Sequence, residues 1–476
     1  MEAIQHVKLL IHGEWQSSSG TFAVKNPYDQ TTLAHVADGT AADATAAVDA
    51  AAQAFGRWKK SAPEERRGIL LAWADLIKDR KDALANLLCR EQGKVLWQAE
   101  AEILHGASLV ERAAEESVRI HGMTLARHDD QVRNFILKQA VGVVAAITPW
   151  NFPAASVLVK CASAIAAGCT VVLKPSEETP LLALELAALA MEANLPPGVL
   201  NVIPCLNPTA VGQVLTNDPR VSLLSFTGSS AVGKGLAASC APTLKRLSLE
   251  LGGNAPFLVF DDADIDAACD AAMGARFFNS GQICVGANRF LVHQSVEQAF
   301  VDGMVARAKK LVAGNGLEQG VGLGPLINDK AVSNLNRLVE DAVAQGAQLH
   351  LGGVGNGEGL CYQATILSQV TQNMAVAGDE VFGPVVCIYR FQSDEEAIAM
   401  ANNTRAGLAG YVFTGNQKRL WSVAEELECG MVGANTSNIF APELAFGGLK
   451  ESGMGREGGL DCLSDYLILK NLSLGL

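Results

Sequence analysis

Basic charge is in short supply. The chain has 37 lysines and arginines against 50 aspartates and glutamates, a formal net charge of −13. No run of like charges reverses that balance locally. Nucleic acid and anionic membrane surfaces demand a basic face, so neither is expected as a partner. Long apolar runs are missing too. The most apolar stretches, Val141 to Ile147 and Ala162 to Leu173, are far too short to span a bilayer. The first residues, Met1 to Ile11, carry no basic flank, continuous apolar core or small-residue cleavage site, unlike a secretory signal. Eleven cysteines without such a signal read as reduced thiols, and the expected location is cytoplasmic. No C-x-x-C pair and no H-x₃-H cluster occurs, so no metal site is expected. The segment Phe226-Thr227-Gly228-Ser229-Ser230 is not a G-x-G-x-x-G fingerprint. Gly228 to Lys234 nearly spells the phosphate loop of an NTPase, but Gly235 stands where the magnesium-binding Ser/Thr belongs. A P-loop NTPase is therefore a remote alternative.

What is present is a folded α/β pattern. The chain is 476 residues long, 49% hydrophobic and 18% charged, which suggests roughly two to four domains and a large core. After an extended start, Thr40 to Trp58 and Ser61 to Gln92 have helical periodicity, and Ser61-Ala62-Pro63-Glu64 reads as a capping box. Strand-like runs then follow at Val141–Ile147, Thr170–Leu173, Val199–Ile203, Leu223–Phe226 and Leu247–Leu249. Helix-like stretches lie between them at Ala155–Ala167, Pro180–Ala193 and Ser230–Ser239. Such alternation predicts a parallel sheet covered by helices and suited to a dinucleotide. A second α/β series has strands near Phe257–Phe260, Arg289–His293, Val385–Phe391, Tyr411–Thr414 and Met431–Ala434. The stretch Gly352–Gly359 reads as a surface loop.

Several motifs sit where these strands end. In Asn279-Ser280-Gly281-Gln282-Ile283-Cys284 a cysteine follows a polar, Gly-containing stretch. Most cysteines are small buried apolar residues, and this is the one in a setting fit for a nucleophile. Glu250-Leu251-Gly252-Gly253 ends an apolar strand, where side chains face the ligand crevice of an open sheet. Glu250 is there either a solvated carboxylate or a general base, and the two glycines admit close approach of a ligand or backbone. In Thr148-Pro149-Trp150-Asn151-Phe152-Pro153 two prolines fix a turn. Asn151 either forms that turn or aims an amide N–H at an oxyanion, a donor whose loss typically costs roughly 3–4 kcal/mol. Lys174-Pro175-Ser176-Glu177 ends another strand, and Phe226-Thr227-Gly228-Ser229-Ser230 opens a helix whose free N–H groups suit a phosphate.

Together with Glu380-Val381-Phe382-Gly383-Pro384, Phe446-Gly447-Gly448-Leu449-Lys450-Glu451-Ser452-Gly453 and Gly455-Arg456-Glu457-Gly458, these motifs in this order resemble the aldehyde dehydrogenase superfamily over essentially the whole chain. The ending Asp465-Tyr466-Leu467 with its short tail looks most like the succinic semialdehyde dehydrogenase branch. The resemblance implies a Rossmann-type cofactor domain (residues 1–118 and 139–249), an α/β catalytic domain (250–435) and a small oligomerisation β-extension (119–138 and 457–476). Residues 436–456 would return to the active-site and cofactor-domain region.

It also implies roles. Cys284 would be the nucleophile and Glu250 the base for the hydrolytic water. Asn151 and the Cys284 backbone N–H would form the oxyanion hole. The intermediate would pass hydride to NAD and leave a thioester that Glu250-activated water hydrolyses. A thiol with a pKa near ~8.5 is only a few per cent ionised at neutral pH, so it needs activation. Family members that release product to coenzyme A generally lack this glutamate, so a free acid is expected. Lys174 and Glu177 match the positions that hold the adenosine ribose, Ser229 the pyrophosphate contact, and Glu380 and Phe382 the nicotinamide ribose and ring. Trp150 lines the cofactor cleft, which Thr148, Ser176, Phe226, Gly228, Val232, Leu251 and Gly252 complete. Glu177 should favour NAD over NADP by repelling a 2′-phosphate.

Phe152, Val159, Phe278, Ile283, Val285, Phe440 and Phe446 would form the substrate pocket. Members of the succinic semialdehyde branch supply arginines on two pocket walls, where Val159 and Phe278 stand here. The pocket should therefore take an aliphatic or aromatic aldehyde, with succinic semialdehyde as the alternative if Arg276 or Arg289 reaches in. A homodimer or homotetramer is expected. A non-catalytic relative is a remote reading, disfavoured by the complete Cys284, Glu250 and Asn151 set.

Overall fold

A computed structural model describes residues 6–126, 130–355 and 359–476. Parts of three sequence readings lie outside the described residues: the start of Met1–Ile11, Arg127–Asp129 within the 119–138 extension, and Asn356–Glu358 within the Gly352–Gly359 loop.

Four helices open the fold after two short hairpins: α1 (Ala41–Trp58), α2 (Pro63–Asp79), α3 (Lys81–Gln92) and α4 (Leu96–Ser117). The capping box lies at α1 rather than α2. Thr40 Oγ1 accepts the Asp43 N–H at 3.2 Å, and the Asp43 carboxylate accepts the Thr40 N–H at 2.8 Å. At the expected site, Ala62 is the cap of α2 and makes no side-chain bond. Pro63 takes the first helical position and holds the preceding residue extended, while Ser61 Oγ donates to Trp58 O at 2.7 Å. The periodic stretch Ser61–Gln92 is thus two helices, broken at Arg80 (φ −99°, ψ 14°). Gly93 then ends α3 with φ +96°, a conformation that favours glycine.

Strand alternation then builds two sheets. The first contains five parallel strands in the order Leu200–Val202, Thr170–Lys174, Val143–Ile147, Val221–Thr227 and Arg246–Glu250. Leu9–Ile11 and Glu14–Gln16 extend one edge, and Gly453–Met454 pairs antiparallel with Arg246–Glu250 at the other. The chain moves outward from Val143–Ile147 in one direction, then returns to its other side with Val221–Thr227. That reversal is a topological switch point, where strand ends splay into a crevice. The second sheet has seven strands between Ala255 and Ala434, all parallel except Gln348–Leu351.

Helix α5 (Pro153–Ala167) follows the central strand of the first sheet and packs against α4, with 13 of its 15 residues buried. A helix that apolar has no solvent face, so its single charged residue, Lys160, needs an internal partner. Leu467–Gly475 pairs along its full length with Val132–Ala140, and Met123–Thr124 completes a three-stranded sheet. No helix among the described residues is long and apolar enough to cross a membrane.

Candidate active site

The cysteine loop is built on unusual backbone. Helix Ile265–Phe277 runs into a turn in which Asn279, Ser280 and Gly281 all have positive φ, at 49°, 54° and 76°. A Cβ on Gly281 would lie 2.1 Å from Gly383 O, so only glycine fits there. The strained turn is fixed by its own side chains. Asn279 Nδ2 donates to Gln282 O at 3.1 Å and to Asn151 O at 3.0 Å, and Ser280 Oγ donates to Gly324 O at 2.8 Å. Cys284 follows, half-buried. Burial pushes its thiol pKa up, the carboxylates of Glu380 and Glu250 add to that, and the Val285 and Cys284 N–H groups oppose it. Gly253 lets this backbone come close, because a Cβ there would meet Cys284 O at 2.2 Å.

Asn151 arrives from the other side, on the turn after Val143–Ile147. Its Nδ2 donates to Gln282 O at 3.1 Å, which spends one amide N–H and leaves the second. Cys284 and Asn151 line one cavity of about 460 Å³. Every expected pocket residue lines it as well: Phe152, Val159, Phe278, Ile283, Val285, Phe440 and Phe446. Phe152 stacks on Phe278 with centroids 6.3 Å apart, and Phe440 on Phe446 at the same separation. Among the described residues, no lysine or arginine lines the cavity. The two arginines that could have entered are committed elsewhere. Arg276 donates to the carbonyls of Ala287 and Val381, and Arg289 to those of Asn254, Met400 and Ala401. The titratable groups that do line it are Cys284, Glu102, His105, Glu457 and Tyr411. Burial pushes the His105 pKa down against the pull of Glu102, so its imidazole is neutral at neutral pH.

Glu250 stands differently from the expectation of a carboxylate facing the crevice. It is buried, outside the cavity lining, and neither carboxylate oxygen has a hydrogen-bond partner among the described residues. Glu250 faces Gly447, where a Cβ would lie 2.8 Å from its Oε1. Burial raises its pKa well above the usual carboxylate range, Glu457 adds to that, and Lys160 and Arg456 oppose it. Beside it Lys160 and Glu457 form a buried ion pair, with Lys160 Nζ also donating to Ser225 Oγ at 3.1 Å. Its proton is held more tightly than on an exposed carboxyl, and its side chain would have to turn to reach the cavity that Cys284 lines.

The expected cofactor residues gather at the carboxyl ends of the first sheet. Thr148 and Trp150 follow its central strand, Lys174 ends the neighbouring strand with Ser176 and Glu177 just beyond it, and Phe226 lies near the end of the strand across the switch point with Gly228 and Ser229 after it. Ser229 caps helix Ser230–Cys240 by accepting the Val232 N–H at 3.4 Å, and the Gly228 N–H donates to Glu250 O at 3.0 Å. Lys174 Nζ lies 3.0 Å from Glu177 Oε2. A Cβ on Gly233 would meet the Leu251 side chain at 2.4 Å, so Leu251 packs on the first turn of the same helix. From the second sheet, Phe382 meets Trp150 edge-on at 5.5 Å, and Glu380 Oε1 accepts the Gly253 N–H at 3.3 Å. Burial raises the Glu380 pKa to about 7. Free N–H groups at a helix start, glycines where a side chain would intrude, and a Lys–Glu pair beside them fit a dinucleotide.

The sequence reading passed over Lys94, Gln98, Glu102, Lys160 and Glu457. Lys160 had a legible signal, as a lone charge in the apolar run Ala155–Ala167. Glu457 stood inside a quoted motif without a role.

Residues 15–472 match the model of the Aldehyde dehydrogenase family. The mitochondrial succinate-semialdehyde dehydrogenase of Rattus norvegicus is 46% identical over 469 residues, 98% of this chain and 90% of that protein. A crystal structure described as an E. coli NADP dependent enzyme superposes with a TM-score of 0.98 at 43% identity, covering 99% of both chains. Betaine aldehyde dehydrogenase from Staphylococcus aureus, solved in complex with NAD+, gives a TM-score of 0.96 at 34% identity over 98% of this chain and 94% of that one.

Proposed function

The chain belongs to the aldehyde dehydrogenase family, and on that premise we propose that it oxidises apolar aldehydes to free carboxylic acids through a thioester on Cys284. It is an oxidoreductase that acts on aldehydes with NAD(P). In this reading the Cys284 thiol first loses its proton to water, its sulfur then bonds to the carbonyl carbon, and the carbonyl oxygen takes the charge. The second N–H of Asn151 and the Cys284 backbone N–H stabilise that oxyanion. Lys174, Glu177, Ser229, Glu380 and Phe382 would hold NAD(P), which would supply the acceptor for the hydride that the former carbonyl carbon loses as the thioester forms. Water deprotonated by Glu250 then adds to the thioester, the C–S bond breaks, and the acid leaves with the thiol restored. Glu250 lies buried outside the cavity lining and its pKa is raised, so in this reading its side chain turns toward the thioester to act.

The single observation that carries the substrate class is the aromatic cavity without a cation. A distal carboxylate there would lose its hydration against Phe152, Phe278 and Phe446 and find Glu102 and Glu457 instead of a guanidinium. Each methylene of an alkyl aldehyde gains roughly 0.8 kcal/mol on burial. A second reading is succinic semialdehyde, for which the rat relative is named. Steady-state kinetics on hexanal, benzaldehyde and succinic semialdehyde decide between them. A higher kcat/KM for succinic semialdehyde than for both other aldehydes would sink the apolar reading.

The same proposal includes NAD preference over NADP, through the Glu177 carboxylate, and the division into cofactor, catalytic and oligomerisation segments drawn from the sequence. It includes a homodimer or homotetramer. Strand Leu467–Gly475 supports that, because its free edge carries exposed Leu469, Leu472 and Leu474. A cytoplasmic location belongs to the proposal as well, and the mitochondrial relative makes cell fractionation its test.

A further inference from the structure

Beneath the turn that carries Asn151 lie two charged side chains with almost no contact with water. Lys94, just past the end of α3, and Glu102, in the second turn of α4, are 0% and 1% exposed and form an ion pair. Apolar residues of similar volume are often as stabilising as a buried ion pair, so its presence calls for a task beyond stability. Its remaining hydrogen bonds indicate one. Lys94 Nζ donates to Asn151 O at 3.0 Å and sits 4.2 Å from the centroid of the Phe152 ring. Glu102 Oε1 accepts the N–H groups of Ala154 at 2.9 Å and Ala155 at 3.2 Å, at the start of α5. Residues 151 to 155 are thereby held at four points, Asn151, Phe152, Ala154 and Ala155, by one pair. The turn needs such support, since Pro149 and Pro153 have no N–H of their own to give.

The same helix also grips the cysteine loop. Gln98, one turn before Glu102, accepts the Asn279 N–H through Oε1 at 2.8 Å, and Asn279 Nδ2 donates in turn to Asn151 O. Asn151 O therefore receives one bond from the ion pair and one from the loop that leads to Cys284. The two halves of the proposed oxyanion hole come from segments 128 residues apart at that bond, and α4 is tied to both.

We propose that Lys94 and Gln98, with Glu102 as the counter-ion of Lys94, are positioning residues that set the spacing between the Asn151 amide and the Cys284 backbone N–H. The inference rests on the reading of Asn151 as an oxyanion donor. Lys94 acts on the turn through the Asn151 carbonyl and the face of the Phe152 ring. Its charge polarises a carbonyl that no regular secondary structure satisfies, and its direction is fixed by Glu102. A shift of about 1 Å at the donor costs about 100-fold in rate, so a loss of roughly 10- to 100-fold is expected when the tether is cut.

The test is the pre-steady-state burst of NADH in Lys94→Met/Glu102→Gln, a pair that leaves no unpaired charge and so guards against simple misfolding. Lys94→Met alone and Gln98→Met accompany it. The expected result is a burst slowed about 10- to 100-fold with KM for NAD within about twofold of wild type. In an Asn151→Ala background, the same double change should cost less than about threefold, because no amide remains to be positioned. A purely structural role would give equal losses in both backgrounds, and that outcome overturns the proposal, as does a wild-type burst in the double variant. Asn151→Ala with an undiminished burst would overturn the oxyanion reading itself, and the inference with it. If Asn151→Ala is slow while Lys94→Met/Glu102→Gln is fast, only the inference fails.

Discussion

Replacing Gly253 by alanine should damage the reaction without unfolding the enzyme. The added Cβ would lie 2.2 Å from Cys284 O and 3.5 Å from Leu408 Cβ. An ordinary carbon–oxygen contact begins near ~3.3 Å, so about 1 Å of separation has to be found. The opposing atom is backbone, and the loop it belongs to is locked by Asn279, Ser280 and Gln282. Relief therefore comes by moving Cys284 itself. Overpacking of this kind costs about 1–3 kcal/mol of stability, which a large core tolerates. A displacement of about 1 Å at the nucleophile lowers the acylation rate about 100-fold. Gly252 is the internal control. A Cβ there meets the Glu380 Oε2 atom at 2.6 Å, the free end of a side chain that can rotate away. Gly252→Ala should then cost less than about tenfold and show itself in KM for NAD. Stopped-flow NADH bursts, with thermal denaturation to check folding, measure both. A folded Gly253→Ala enzyme with a burst within about threefold of wild type would falsify this account of the loop.

Glu250→Gln should retain the acylation burst but stall steady-state turnover, with acyl-enzyme trappable on acid quench; unchanged turnover would show that another group activates water. Because burial and Glu457 raise the Glu250 pKa, its basic form fills only as pH rises. Deacylation should climb with pH through that raised value in the wild type and lose the limb in Glu250→Gln, and a flat wild-type profile would argue against it. Glu177→Gln should narrow the ratio of kcat/KM between NAD and NADP by removing the carboxylate that Lys174 holds at 3.0 Å; a wild-type preference for NADP contradicts the assignment. Sedimentation should find a species heavier than the 50.0 kDa chain, and deletion of residues 468–476 should return it to a monomer. A stable monomer of the intact chain at micromolar concentration would remove the role given to strand Leu467–Gly475.

The sequence by itself determined the two α/β series, the strand ends and the chemistry placed on them. Those signals are local. Period-two and period-3.6 patterning marks strands and helices, and Gly and Pro mark the turns that close them. Hence Asn151, Glu250 and Cys284 could be singled out as candidates, while their roles and the choice of Val159 and Phe278 as pocket residues came from the resemblance to the aldehyde dehydrogenase superfamily. Local reading erred where two local signals competed, as at Ser61, whose hydroxyl closes α1 while Pro63 sets the start of α2. Only tertiary structure decided which charges are buried and against what. Lys94 meets the Asn151 carbonyl across 57 positions, and Lys160 meets Glu457 across 297. Neither residue's own neighbours reveal that partner. The pKa of Glu250 followed the same rule, since desolvation and a carboxylate contributed from the far end of the chain both raise it. Burial and through-space charge are properties of the packed molecule, and no window of sequence contains them.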